Sequence, residues 1–137
     1  MEAPFISKNE AETRAEYIDP ALAAAGWGVI GDSRIWREYS ISPGRIEGRG
    51  RRGATIKADY ILEFRNRKLA VIEAKAWHEP LTLGVAQAKT YAGKLGLRFA
   101  YATNGQGIYA IDMQSGEENQ ISAYPSPEEL WQMTFAN

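Results

Sequence analysis

Hydrophobic residues recur at helical spacing near the start of the chain. The apolar positions that repeat every three or four residues are Ala11, Ala15, Ile18, Leu22 and Ala25. This period predicts a helix from about Asn9 to Ala25, and Gly26 is placed to end it. Pro20 lies inside the pattern, so we expect it to kink the helix or to divide it in two.

Two apolar runs in the middle of the chain have the composition of buried strands. They cover residues 55–64 and 68–75, and Arg65-Asn66-Arg67 between them predicts a tight hairpin. A first strand region is expected earlier, turning out of Trp27 and continuing loosely to Tyr39. The segment from Ser42 to Gly53 contains four glycines, one proline and no periodicity, which predicts a loop.

The second half of the chain repeats this alternation of helix and strand. A helix is predicted from about Leu83 to Leu95, and short strands at 98–103 and 107–112. Ser126 and Pro127 form a helix start, with the serine as N-cap and the proline at the first helical position. The order helix, three or four strands, helix, two strands, helix predicts an α/β fold with a mixed sheet and helices on both faces.

Composition limits the class of protein. The length of 137 residues fits one domain, 1–137. The absence of cysteine excludes disulfides and thiolate metal sites and suits a reducing compartment. No signal peptide or membrane-spanning run is visible, so we expect a cytoplasmic protein.

The most informative residues end the second apolar run. Glu73 and Lys75 point to the same side of a strand because side chains alternate, and burying charge there is costly without a partner. Asp59 lies on the strand before. Asp59 and Glu73 can supply the carboxylates that Mg²⁺ prefers, with the Ala74 carbonyl as a further ligand. Lys75 would then stabilise charge on a phosphate or orient the attacking water. The alternative is an ordinary Glu–Lys ion pair at the exposed end of a hairpin.

Two further features are consistent with nucleic acid as the substrate. Gln87 and Tyr91 lie four residues apart on one helical face, where they could contact a phosphate or a base. Basic residues also concentrate between Arg45 and Lys57, including Arg51 and Arg52, opposed by a single acid. They are candidates for phosphate contacts. A polar helix flank and a solvated connector are the respective alternatives.

A known family combines these features. The segments that carry the resemblance are Glu10-Ala11-Glu12-Thr13-Arg14, Tyr17-Ile18-Asp19-Pro20, Ala25-Gly26-Trp27, Ala58-Asp59-Tyr60, Val71-Ile72-Glu73-Ala74-Lys75, Gln87 to Tyr91, Ala102-Thr103-Asn104-Gly105 and Pro125-Ser126-Pro127-Glu128-Glu129-Leu130. The chain resembles the PD-(D/E)xK nucleases of the RecB-like branch with a QxxxY motif. It is most similar to the N-terminal nuclease domain of the R (motor) subunit of type I restriction enzymes. The motif's proline is replaced by Ala58, and proline carries no chemistry in that mechanism.

The resemblance implies a fold, a reaction and a set of site residues. It implies a restriction-endonuclease-like fold and Mg²⁺-dependent hydrolysis of double-stranded DNA, with Asp59, Glu73 and Lys75 as catalytic residues. It also implies an extra acid on the first helix. Glu10 and Glu12 both qualify, and we choose Glu10 because it is the i−4 partner of Arg14, which faces inward and needs an acid or a phosphate.

The resemblance also implies partners and leaves rival functions open. The family works with methyltransferase and specificity subunits, and its ATP-driven motor domains follow the nuclease domain. This chain contains no G-x-x-x-x-G-K-[ST] motif for ATP, as expected for the N-terminal part of a longer motor subunit. The rivals are a stand-alone repair nuclease or junction resolvase of the same fold, and a DNA-binding module that has lost activity.

Overall fold

A mixed sheet forms the centre of the computed structural model, which describes residues 8–41, 46–47, 51–52 and 56–136. Within these residues the strands are β1 Ser33–Ile41, β2 Ile46–Glu47, β3 Arg51–Arg52, β4 Ile56–Phe64, β5 Arg67–Ala74, β6 Phe99–Thr103, β7 Ile108–Asp112 and β8 Glu118–Ile121. Six of them form one sheet in the order β1-β4-β5-β6-β7-β8. Only β5 and β6 are parallel neighbours in it; the other pairs are antiparallel.

Helices cover both faces of the sheet, as predicted. The helical segments are α1 Glu10–Thr13, a π-helical turn Arg14–Ile18, α2 Asp19–Ala25, α3 Val85–Leu95 and α4 Pro127–Phe135. On one face, Leu22 of α2 and Leu130 of α4 pack with Leu62 and Ile72 of the sheet. On the other face, Ala88 of α3 packs with strand residues that include Val71. Since α3 also connects the parallel strands β5 and β6, the α/β expectation is confirmed.

No helix in the described part of the chain is long and apolar enough to cross a membrane.

Pro20 divides the first helix, as expected, through a local widening of the helix. Proline has no N–H to donate to the carbonyl four residues earlier. The chain accommodates this with the π-helical turn, in which the Asp19 N–H donates to the Arg14 carbonyl five residues back. Pro20 then stands in the first turn of α2, where proline is tolerated. Gly26 ends α2 with a φ of 109°.

Three details of the strand prediction were wrong. The first strand region was expected to follow directly from Trp27, but the turn that contains this buried residue continues, and β1 begins only at Ser33. Within the predicted loop 42–53, the backbones of β2 and β3 pair antiparallel; the rest of that loop lies outside the described residues. The edge strand β8 was not anticipated, because Glu118-Asn119-Gln120 is too polar to show a strand period.

A tight junction attaches α1 to the end of the sheet. The buried Thr13 hydroxyl accepts a hydrogen bond from the Trp77 N–H at 3.0 Å. The Tyr17 and Trp77 rings lie 4.3 Å apart between centroids. Gly105 has a φ of +85°, and a Cβ there would lie 2.7 Å from the Thr13 Cγ2. The junction therefore requires glycine both for its backbone conformation and for space.

Gly105→Ala should lower the free energy of unfolding by more than ~1 kcal/mol, because it adds overlap with Thr13 to the cost of a positive φ. Gly116→Ala is the matched control: Gly116 has a φ of +81° but no atom within 4 Å of its added Cβ. Urea denaturation of both variants measures the difference. Equal losses of stability in the two variants would show that the junction is not sterically constrained.

Candidate active site

Asp59 and Glu73 bridge the end of the hairpin formed by β4 and β5. Backbone pairing of these strands reaches Tyr60 and Ile72, one residue short of the two acids. Beyond it, the Asp59 N–H donates to the Glu73 Oε2 at 2.9 Å. The Ala74 N–H donates to the Asp59 Oδ2 at 2.8 Å. Side-chain oxygens thus take the place of backbone acceptors, and both carboxyl groups are fixed by the strands themselves.

The environment of Glu73 disfavours its negative charge. Glu73 is only 2% exposed to solvent. Burial raises the pKa of the Glu73 carboxyl; the neighbouring Asp59 carboxylate raises it further, while the Asp59 N–H and Lys75 lower it, for a value of about 8. Burial and the like charge of Asp59 therefore favour a proton on this pair of carboxyl groups unless a cation supplies positive charge nearby.

Lys75 follows the strand end and contacts α3. Its Nζ donates to the Gln87 Oε1 at 3.2 Å, and the Gln87 Nε2 donates to the Tyr91 hydroxyl at 2.7 Å. Gly84 caps α3 close to the strand end: a Cβ there would lie 3.4 Å from the Glu73 Cβ. The start of α3 therefore lies beside the end of β5. The Tyr91 ring is 7% exposed. The DNA contacts of Gln87 and Tyr91 stay predictions.

The first helical region brings an acidic and a basic residue close to Asp59. The Arg14 Nη1 lies 3.2 Å from the Asp59 Oδ1 and 3.6 Å from the Glu10 Oε1. Burial raises the pKa of Glu10, the Asp59 carboxylate raises it further, and Arg14 and Lys75 lower it. Glu12 is exposed on another flank of the helix. There it adds to the larger effect of Glu16 in raising the pKa of Lys8. The geometry thus places Glu10, rather than Glu12, beside Asp59.

The oxygen donors at the strand end suit a hard divalent cation. Asp59 and Glu73 are close enough that, beside burial, the Asp59 carboxylate raises the pKa of Glu73. Two such carboxylates and the Ala74 carbonyl are the ligand types that Mg²⁺ takes, with waters completing its octahedron. In the described residues, no group of three or more His, Cys, Asp or Glu side chains is arranged to hold a metal. The fit therefore rests on two side chains, one carbonyl and water.

Arg51 and Arg52 lie in β3, but their side chains fall outside the described residues. Thr103 and Asn104 make turn hydrogen bonds, and the Thr103 carbonyl accepts the Lys75 N–H at 2.8 Å. Sequence reasoning missed Thr13, which positions the helix of Glu10 and Arg14, because its partner lies 64 residues away.

Comparisons with known proteins give relatives for this chain. No family model matches it. It is 37% identical over 133 residues to the endonuclease subunit of the type I restriction enzyme EcoAI of Escherichia coli, covering 90% of this chain and 16% of that subunit. Its fold matches a fragment assigned as an HsdR subunit of a type I restriction enzyme from Vibrio vulnificus, with a TM-score of 0.84, 39% identity and 95% coverage of this chain. The chain spans about one sixth of the first relative's length and 26% of the second's.

Glu73→Gln should remove most of the pH dependence of stability without divalent ions. The pKa of Glu73 in the folded protein, about 8, lies above its ordinary value of 4.5. The folded state therefore binds this proton more tightly, and the stability it contributes is lost as pH rises between those values. The wild-type unfolding free energy should fall by up to ~1.4 kcal/mol per pH unit across this window. Urea denaturation in EDTA measures it.

Glutamine preserves the shape of Glu73 and can accept the Asp59 N–H, so the variant is expected to fold. The exposed Glu117, outside the site, gives the matched control: Glu117→Gln should follow the wild-type pH profile. Parallel profiles for the wild type and Glu73→Gln would mean that Glu73 is not held protonated by its surroundings.

Proposed function

Because this chain is a homologue of the endonuclease (HsdR) subunits of type I restriction enzymes and corresponds to an HsdR N-terminal domain, we propose that it hydrolyses phosphodiester bonds of double-stranded DNA with Mg²⁺. The homology supports a restriction endonuclease role. We propose further that it acts in the cytoplasm, within a complex that contains methyltransferase and specificity subunits. The observation that carries the proposed chemistry is the fixed Asp59–Glu73 pair with Lys75 beside it.

Asp59, Glu73 and the Ala74 carbonyl are the proposed Mg²⁺ ligands. When bound, the ion supplies Lewis acidity to the scissile phosphate and lowers the pKa of a coordinated water. The protein's own contribution is preorganisation. Backbone N–H groups hold one oxygen of each carboxyl group, so the two acids need not be ordered when substrate arrives.

Lys75 is proposed to stabilise the negative charge that develops on the phosphate. A lysine ammonium is a compact charge on a flexible stem, so it needs a partner to hold it in place. The Gln87 Oε1 provides that partner, and the Tyr91 hydroxyl in turn accepts from the Gln87 amide. We therefore assign Gln87 a positioning role in addition to a contact with the DNA backbone.

Glu10 and the basic residues complete the proposed assignment. Since its pKa is raised by burial and by Asp59, Glu10 is suited to exchange a proton with a water at the site. Arg51 and Arg52 are proposed to bind DNA phosphates, as the composition of their segment suggests. These contacts would position DNA without reading its sequence.

Cleavage of plasmid DNA by the complete restriction complex tests the proposal. Activity should require Mg²⁺ and disappear in EDTA. Lys75→Ala should lower the cleavage rate by about 10²–10³, the typical cost of one preorganised electrostatic group. Gln87→Ala leaves the ammonium but removes its partner, and should lower the rate by a smaller factor.

Lys94→Ala is the control, since Lys94 is an exposed lysine in the last turn of α3 and should leave the rate unchanged. Wild-type cleavage by Lys75→Ala would remove Lys75 from the mechanism. Cleavage that persists in EDTA would contradict metal dependence. DNA binding without any cleavage by the wild-type complex would favour an inactive binding module instead.

A further inference from the structure

Arg14 already places a positive charge on the outer oxygen of Asp59. The Asp59 Oδ2 is taken by the Ala74 N–H at 2.8 Å, which leaves Oδ1 for a cation. The Arg14 Nη1 occupies Oδ1 at 3.2 Å and also lies 3.6 Å from Glu10. The Arg14 side chain is 23% exposed, so this contact is partly shielded from water. A guanidinium cannot lose its charge by deprotonation, so the protein carries a permanent cation at this point.

We propose that Arg14 is a built-in counter-ion that holds Asp59 in the metal-free protein and must release it when a divalent cation binds. This inference rests on the metal site of the proposed function. It adds that the site is not an open pair of carboxylates, because binding of the ion is a competition between two cations for one Asp59 oxygen.

Two other basic residues of this region, Lys75 and Arg37, have different partners. Lys75 donates to Gln87, and Arg37 lies 3.4 Å from the Asp19 Oδ1. The Asp59 carboxylate therefore depends on Arg14 for its ion pair in the described structure. Without Arg14, the like charges of Asp59 and Glu10 would lose the ion-pair partner that they share, which would destabilise the metal-free protein and attract a metal more strongly.

The surroundings leave Arg14 room to move. A cleft of about 260 Å³ opens beside it, lined in part by Arg14, Asp19, Arg37, Asp59 and Tyr60. Asp19 thus offers a second carboxylate on the same cleft as the guanidinium. Release of Asp59 therefore requires rotation of one side chain rather than movement of a helix.

The competition between Arg14 and the metal for Asp59 can be tested by titrating the metal-free protein with Mn²⁺. Electron paramagnetic resonance measures the free ion at each step. Arg14→Gln removes the counter-ion and should bind Mn²⁺ about tenfold more tightly than the wild type. Arg14→Lys keeps a cation and should bind more like the wild type. Arg37→Gln is the charge-matched control, because it removes an arginine of the same cleft that pairs with Asp19, and should change affinity less than about twofold.

Thermal unfolding of the same proteins gives a second readout, which does not depend on measuring free Mn²⁺. Arg14→Gln should melt below the wild type in EDTA and regain much of that difference at saturating Mg²⁺, since a ligand of the folded state stabilises it. Far-ultraviolet circular dichroism checks that each variant is folded. Arg37→Gln should show the wild-type gain on adding Mg²⁺.

The outcomes separate this inference from the proposed function. If the wild type binds Mn²⁺ and Arg14→Gln binds it equally or more weakly, Arg14 is not a competitor, while the metal site stands. If neither protein nor any variant binds Mn²⁺, the proposed metal site itself fails, and the counter-ion role fails with it. Loss of binding in Asp59→Asn within the Arg14→Gln background would confirm that the gained affinity acts through Asp59.

Discussion

The candidate site depends on two hydrogen bonds between β4 and β5. In each of them, a carboxyl group on one strand accepts a backbone N–H of the other strand. Asp59 and Glu73 accept N–H groups across the end of β4 and β5, where backbone pairing has stopped. Burying a carboxyl group is costly unless its hydrogen bonds are satisfied. Because the backbones of the two strands satisfy them, β4 and β5 can hold two acids side by side at their ends. The remaining electrostatic cost appears as the raised pKa of Glu73.

The other site residues reach this point through helices that the sheet positions. Gly84 lies against Glu73 where α3 begins, which brings Gln87 to Lys75. On the opposite face, the junction of Thr13, Trp77 and Gly105 attaches α1 close to the same strand end. Glu10 and Arg14 therefore depend for their position on a contact that contains no catalytic group. Damage to that junction should therefore displace Glu10 and Arg14 as well as lower the stability of the fold.

Much of this arrangement could be predicted because it follows from local periodicity. Alternation at the end of β5 predicts Glu73 and the following Lys75 on one side, and both side chains lie against Gly84. The helical repeat brings Gln87 to Tyr91, where the structure has a hydrogen bond. Ser126 caps α4, as its sequence indicated, with a full capping box. These features require only the residues within one element, so the chain sequence contains them.

Contacts between distant segments could not be predicted in the same way. Arg14 was expected to pair with Glu10, its neighbour on the helix, yet its shorter contact is with Asp59, 45 residues away. The preference of Arg14 for Asp59 depends on how the first helical region packs against the sheet. The polar edge strand β8 was missed because its stability comes from pairing with β7 rather than from burial of its own side chains. The helical spacing from Arg14 selected Glu10 over Glu12, but the position of Glu10 beside Asp59 depends on the orientation of α1 on the sheet.

The central claim is that the Asp59–Glu73 pair is built to receive a divalent cation. Crystals of the protein soaked in Mn²⁺, with anomalous diffraction at the manganese edge, test it most directly. The account predicts an anomalous peak between the two carboxyl groups, within ligand distance of the Ala74 carbonyl, with Arg14 withdrawn from Asp59. At saturating Mn²⁺, a site without such a peak and with the Arg14–Asp59 ion pair intact would contradict it.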